Sequence, residues 1–232
     1  MIKGIIFDKD GTLFDFNATW GAWTRRMLEA EVGGDPALFD ALAEVMGYDP
    51  VGERFHPGSV VIASTVSETA DHMLQVLKGV DKADLIARMN AAATQVVQVE
   101  AAPLVPYFDT LRQTDLALGI ATNDAESSAL RHLERAGVRQ HFDFIAGYDS
   151  GHGAKPGPGQ MQAFCALTGL DAGVCAMVGD SLHDLDAGRA AGMLTIGVLT
   201  GPAPAEELAP QADVVLPTIA DIPGWLRGQS LL

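Results

Sequence analysis

Ile2-Lys3-Gly4-Ile5-Ile6-Phe7, followed at once by Asp8-Lys9-Asp10-Gly11-Thr12-Leu13, decides the fold class of this chain. Residues 2–7 are a short apolar run that ends abruptly in charge and a glycine. That pattern predicts a buried strand running into a turn. The design recurs downstream. Residues 116–121 end at Thr122-Asn123-Asp124, residues 174–178 end at Gly179-Asp180-Ser181, and residues 194–199 form a further run. Shorter strand candidates cover 142–146 and 213–216. Between them lie helical patterns: 125–136, which Asn123 or Asp124 can cap and Gly137 ends; 158–168, ended by Gly169; and 184–191, ended by Gly192. Strands that are apolar throughout and alternate with helices describe an α/β fold, a doubly wound parallel sheet covered on both faces. Ligands of such sheets bind at the carboxyl ends of the strands. The polar clusters at 8–10, 122–124 and 180–184 all fall there.

Residues 16–99 break the pattern. Trp20, Trp23 and Met27 recur at helical spacing, as do Leu38, Leu42 and Met46. So do His72, Met73, Val76 and Leu77, and Leu85, Ile86, Met89 and Ala93. Gly33-Gly34-Asp35-Pro36 and Gly47-Tyr48-Asp49-Pro50 read as breaks between helices. The expected organisation is a discontinuous α/β core, residues 1–15 and 100–232, with an all-α insert at 16–99. The tryptophans and methionines are expected to serve helix packing. The Pro- and Ala-rich residues 201–210 read as a surface loop.

The chain has 232 residues, is 48% hydrophobic and carries a formal net charge of −15. Such a composition supports a substantial core. The acidity argues against nucleic-acid binding, which normally shows a basic patch. No stretch has the roughly 18 apolar residues of a membrane span, and the first residues do not form a signal peptide. A cytoplasmic protein, monomeric or weakly dimeric, is expected. Cys165 and Cys175 sit in apolar runs and read as reduced, buried small hydrophobes. An overall negative field repels anionic ligands, so any such ligand needs local devices.

Those devices are present. On extended backbone, residues i and i+2 point to the same side, so Asp8 and Asp10 would share one site. Close carboxylates are unfavourable unless one is protonated or a cation lies between them, and Mg²⁺ suits carboxylates, waters and phosphate oxygens. A pair of turn aspartates would give the same spacing. Gly11 permits an unusual turn beside a ligand, and Gly179 allows one before Asp180. Asp180 could supply a further carboxylate. Asp184 could cap the following helix, or support the metal's waters or Lys155. Thr122 and Asn123 offer a hydroxyl and a backbone N–H at a helix start, either a phosphate-binding corner or a plain cap. Lys155 lies in Gly151-His152-Gly153-Ala154-Lys155-Pro156-Gly157, which is not a P-loop, yet a lysine reaching the strand ends would offset the aspartates.

In this order, Asp8-Lys9-Asp10-Gly11-Thr12-Leu13, Thr122-Asn123, Lys155-Pro156 and Gly179-Asp180-Ser181-Leu182-His183-Asp184 resemble the four motifs of the haloacid dehalogenase superfamily. The insert resembles the helical cap of its phosphoglycolate phosphatase-like subgroup. The resemblance implies a Rossmann-like core and a phosphatase acting on a small phosphorylated metabolite, with 2-phosphoglycolate one substrate it suggests. It implies that Asp8 is the nucleophile and Asp10 the proton-transfer partner. Thr122, Asn123 and Lys155 would bind phosphate, with Lys155 also catalytic. Mg²⁺ would be held by Asp8, the Asp10 carbonyl and Asp180, with Asp184 behind them. Asp10 argues against dehalogenation, whose enzymes lack it, and against phosphonate cleavage, whose enzymes usually do. Sugar phosphomutases keep it but commonly carry an acidic residue where this chain has Gly179. A mutase and a non-catalytic phosphate-binding module remain the alternatives. Phe14, Phe16, Trp20 and Trp23 follow the first motif and some could line the cleft entrance. Arg54, His56 and Ser59, around Pro57-Gly58, either meet a substrate carboxylate or form an exposed loop.

Overall fold

A computed structural model describes residues 1–56, 58–62 and 64–231. In chain order its elements are β1 (Gly4–Phe7), α1 (Phe16–Val32), α2 (Pro36–Val45), β2 (Tyr48–Asp49), β3 (Arg54–Phe55), α3 (Val66–Met73), α4 (Lys82–Ala93), α5 (Leu104–Leu111), β4 (Ala117–Ala121), α6 (Glu126–Arg135), β5 (Phe144–Ala146), α7 (Gly159–Thr168), β6 (Cys175–Gly179), α8 (Leu182–Ala191), β7 (Leu194–Val198), α9 (Ala205–Leu208), β8 (Val214–Leu216) and α10 (Ile222–Gly228).

Six strands form one parallel sheet in the order β5-β4-β1-β6-β7-β8. β1 pairs with β4 on one side and β6 on the other, so the first strand of the chain is central. Its residues are buried on both faces, and alternation sorts them. Ile5 and Phe7 join the cluster with Leu104, Phe108, Leu133 and Leu226, under α5, α6 and α10. Ile6 turns the other way, to Met161 and Phe164 of α7 and Ala187 of α8. Two covered faces explain why these strands read as unbroken apolar runs. Helix α5 was not legible, because Pro103 and Pro106 disguise its start. Its Leu104, Phe108 and Leu111 nevertheless occupy one buried face.

The segment after β1 forms a hydrophobic cluster of its own, with Trp20, Leu28, Leu42, Met73, Leu85 and Met89 among its members. It is not all helical as expected. Gly47-Tyr48-Asp49-Pro50 is no simple break, because Tyr48 and Asp49 pair antiparallel with Phe55 and Arg54. Tyr48 and Phe55 bring rings together at 5.3 Å. Gly33-Gly34-Asp35-Pro36 does break helices: Gly33 closes α1 in the left-handed region and the Asp35 side chain caps α2. Pro57 lies outside the described residues. The linkers to the insert lie side by side, with Asp15 N donating to Val99 O at 2.8 Å and Ala101 N to Leu13 O at 2.9 Å. The surface loop expected at 201–210 contains the short helix α9, which buries Leu208. Among the described residues no helix is long and apolar enough to cross a membrane. Cys165 and Cys175 are free, Cys175 buried and Cys165 partly so.

Phe108 meets Phe7 edge-on at 5.6 Å and Phe142 at 4.8 Å, with no exposed surface. Its loss removes the contact that seats α5 on β1. Phe108→Ala should therefore lower the unfolding free energy by about 3–5 kcal/mol, measured by urea denaturation; a loss under about 1 kcal/mol would show that α5 contributes little to the core.

Candidate active site

The central strands deliver their polar ends to one place. Asp8 follows β1, Thr122 follows β4 and Asp180 follows β6. Lys155 arrives on the loop between β5 and α7. Asn123 fixes that loop: its Oδ1 accepts from Lys155 N and its Nδ2 donates to Lys155 O, both at 2.9 Å. The Lys155 ammonium then donates to Asp8 Oδ1 at 2.5 Å, Asp184 Oδ1 at 2.6 Å and the Ala121 carbonyl at 2.8 Å. It is buried, as are Asp8, Asp180 and Asp184. Burial disfavours its charge, but Asp184 and Asp8 more than offset that and hold its pKa above the ordinary lysine value.

Carboxylate oxygens of Asp8, Asp180 and Asp184 lie within 4.8 Å of one another. One ammonium group does not neutralise three carboxylates. Burial, together with repulsion from Asp184 and Asp10, pushes Asp8 up to about 7 against the attraction of Lys155. Burial, then Asp8 and Asp184, push Asp180 well above the usual carboxylate range. These all-oxygen donors in charge excess fit a hard divalent cation. Of the three, Asp184 has both oxygens occupied: Oδ1 by Lys155, Oδ2 by Ser181 N at 3.0 Å and Ser181 Oγ at 2.7 Å. It thus caps α8 and supports Lys155 at once.

Gly11 and Gly179, with Gly201 against Asp180 as well, make this crowding sterically possible. Gly11 has φ +86°, and a Cβ there would overlap the Asp180 carboxylate. A Cβ at Gly179 would overlap Asp184. Gly179 was expected to serve a turn; its role is close approach inside β6.

Asp10 is held separately. Trp20 Nε1, from α1, donates to its Oδ1 at 2.8 Å, and Lys9 Nζ donates to its Oδ2 at 2.5 Å. Lys9 is completely buried and also pairs with Asp124 at 3.2 Å. Burial disfavours its charge, but Asp10 and Asp124 raise its pKa overall. Behind it stands His132 of α6, whose Nδ1 lies 3.2 Å from Lys9 Nζ and whose Nε2 lies 3.0 Å from Ala93 O at the end of α4. An ammonium donor beside Nδ1 requires Nδ1 to accept, so Nε2–H donates to the carbonyl. Burial first, and Lys9 second, push His132 down to about 4.

These groups open into a cleft between the strand ends and the insert, lined by Asp8, Asp10, Thr122, Lys155 and Asp180 on one side and by Trp20, Trp23, Met27, Ile62 and Met89 on the other. The family described as haloacid dehalogenase-like hydrolase matches residues 2–192. The chain belongs to that family. A phosphoglycolate phosphatase of Neisseria gonorrhoeae is 30% identical over 206 residues, covering 86% of this chain and 81% of the relative. A pyrophosphatase, PpaX, of Bacillus pumilus is 25% identical over 85% of this chain and 83% of its own length. Among solved structures, CbbY from Rhodobacter sphaeroides in complex with phosphate superposes with a TM-score of 0.69 at 19% identity, covering 96% of each chain. A β-phosphoglucomutase from Clostridium difficile gives 0.68 at 18% identity over 100% of this chain and 97% of that one. At such identities the structures establish the shared α/β fold.

The dehalogenase-like hydrolase motifs converge in space: Asp8, Asp10, Thr122, Asn123, Lys155, Asp180 and Asp184 all line the cleft. The structure also settles the details. The Asp10 carboxylate is turned to Trp20 and Lys9 and is not part of the cluster of Asp8, Asp180 and Asp184. The Asn123 side chain holds the Lys155 peptide. Neither Asn123 nor Asp124 is the N-cap of α6, which is Ala125; Asp149 Oδ1 accepts from Glu126 N at 2.9 Å. Trp20 and Trp23 belong to the insert's cluster yet also line the cleft. Phe14, by contrast, is fully buried in the core, and Arg54, His56 and Ser59 do not line the cleft.

Sequence reasoning missed Lys9, Asp124 and His132. A lysine wedged between two motif aspartates is the one signal that could have exposed Lys9. Nothing local marks His132, an ordinary residue of an amphipathic helix.

His132 gives the site a testable pH signature. It ionises near 6.5 when unfolded and near 4 when folded. Below pH 6.5 the unfolded chain takes up a proton that the folded chain refuses, so stability falls as pH drops toward 4. Between pH 7.5 and 5.0 the loss from this group should be about 2 kcal/mol. His132→Gln, which retains a donor and an acceptor, should flatten the pH dependence of urea unfolding by that amount. An unchanged slope would place a charged imidazole in the fold.

Proposed function

We propose that this hydrolase is a Mg²⁺-dependent phosphatase of a small phosphate monoester, working through an aspartyl-phosphate on Asp8. The observation that carries the reading is the buried Lys155 ammonium held between Asp8 and Asp184 beside Asp180. It presents a carboxylate at the foot of a cleft together with a fixed cation for the group that the carboxylate attacks. The relatives named as phosphatases support the same class.

Asp8 attacks phosphorus, the bond from phosphorus to the alcohol oxygen breaks, and a proton from Asp10 goes to the departing oxygen. Water then attacks the acyl-phosphate and gives a proton to Asp10. The bond from phosphorus to Asp8 breaks, which releases inorganic phosphate and restores the carboxylate. Trp20 and Lys9 orient Asp10 for both transfers. Thr122 Oγ1 accepts from Asp124 N at 3.1 Å, so its own hydrogen is left to meet a phosphoryl oxygen. Lys155 meets another as charge moves in the transition state. Asp8 and Asp180, with the Asp10 carbonyl, would hold Mg²⁺, which when bound neutralises the carboxylates and polarises the phosphoryl group. The helical insert serves as a cap that excludes bulk water from the cleft. The division into core (residues 1–15 and 100–232) and cap (16–99) is part of this reading.

Hydrolysis is favoured over phosphoryl transfer between sugar carbons. Position 179, where mutases commonly carry an acidic residue, has no room for any side chain because Asp184 packs against it.

Acetyl phosphate and a panel of phosphate monoesters should be hydrolysed with Mg²⁺ and not after chelation. Asp8→Asn should abolish both turnover and the mass gain of the phosphorylated protein, and Asp10→Asn should slow turnover about 10²–10⁴-fold. Near-normal activity of Asp8→Asn would remove the nucleophile from the scheme.

A further inference from the structure

The wall that the insert presents to the cleft has a distinctive chemistry. Phe16, Trp20, Trp23, Met27, Met46, Ile62 and their neighbours bring aromatic rings, thioethers and branched aliphatics, and its polar members Thr24, Ser64, Thr69 and Asn90 are uncharged. No described residue between positions 16 and 99 contributes a charged group to it. The basic side chains of this segment lie away from it. Arg25 pairs with Glu29, Arg54 with Asp49, Lys82 with Asp71 and Arg88 with Glu31. Arg26 and Lys78 are exposed, and neither they nor His56 and His72 line the cleft. On the opposite side the basic groups are Lys155, already shared by Asp8 and Asp184, and His183, the sequence neighbour of Asp184.

A leaving group with its own carboxylate would have to enter this wall without a partner. It would be desolvated against apolar surface in a protein of net charge −15, and both effects oppose it. An alcohol with a hydrocarbon or aryl body meets no such penalty. Trp23, Val61, Ile62 and Val66 are only partly buried, so apolar surface is left for an occupant to cover. Thr24 Oγ1 is buried in the same wall without a hydrogen-bond partner. It adds a site for one uncharged polar atom.

We infer that the substrates are phosphate monoesters of uncharged, largely apolar alcohols, selected by the wall around Trp23, Met27 and Ile62 and not by a cation. This rests on the phosphatase reading and parts from the substrate in the names of several relatives. It makes Trp23 and Ile62 specificity-determining residues of the leaving-group side.

The test compares kcat/KM of the full chain with Mg²⁺ for 2-phenylethyl phosphate and 2-phosphoglycolate, two esters of primary alcohols, with acetyl phosphate as the reference for the chemistry. The aryl-alkyl ester should be preferred by at least about tenfold. Trp23→Ala should cut that preference by about tenfold. Ile62→Lys, which places a cation on the wall, should shift it toward 2-phosphoglycolate. Hydrolysis of acetyl phosphate together with a preference for 2-phosphoglycolate would overturn the inference and leave the phosphatase reading standing. So would a preference that Trp23→Ala does not alter. No turnover of any of the three would overturn both.

Discussion

The centre of this site follows from burying three carboxylates beside the single ammonium group of Lys155. Asp8, Asp180 and Asp184 are each less than a tenth exposed, and Lys155 stands among them. Carboxylates so placed in a region of low polarisability repel strongly and tend to protonate. The chain supports the arrangement with fixed donors: the Lys155 ammonium on Asp8 and Asp184, the Ser181 amide and hydroxyl on Asp184, and the Thr12 hydroxyl on Asp180 at 3.3 Å. These donors orient the acids without cancelling their charge. The residual excess leaves oxygen donors that could hold a divalent cation, and in the proposed mechanism the lysine is what would let a phosphoryl group approach it.

The same constraint explains the local sequence. The acids can meet only if their strands are neighbours, and β1 pairs directly with β6. They can crowd only if the backbone beside them carries no Cβ, which accounts for Gly11 and Gly179. Lys155 reaches Asp8 only because Asn123 grips its peptide on both edges, so a residue at the end of β4 positions a side chain from the loop after β5. Apart from Gly179 against Asp184, these contacts join elements far apart in the chain, and a slip of one residue in the pairing of β1 with β6 would separate Asp8 from Asp180.

How much of this was legible depends on whether the cause is local. The strands showed because a parallel sheet covered on both faces needs unbroken apolar runs, and 2–7, 116–121 and 174–178 supply them. The strand-end polar residues showed because three such clusters, at 8–10, 122–124 and 180–184, fall at the carboxyl ends of strands of one sheet. The hairpin at Tyr48–Phe55 did not show: two residues per strand are too few for alternation to register. Helical spacing predicts packing for Trp20, and its place after the first motif allows a position at the cleft, but neither reveals what its indole N–H touches. Its indole does pack, while its N–H reaches Asp10. Lys9 and His132 become partners only after β1 and α6 are folded against each other, a tertiary fact with no counterpart in local pattern.

That second network changes what the insert does. Asp10 takes hydrogen bonds from Trp20 on α1 and from Lys9, and Lys9 leans on His132, which in turn holds the last carbonyl of α4. The first and last helices of the insert are therefore both tied, through one or three hydrogen bonds, to the Asp10 side chain, the proposed proton-transfer group. A displacement of the insert would release Trp20 from Asp10 and Ala93 from His132 together. The carboxylate would then lose a donor in the same motion that admits solvent to the cleft. If the insert closes over the cleft as proposed, its closure and the orientation of Asp10 would be a single event, because Trp20 both lines the cleft and donates to the Asp10 carboxylate.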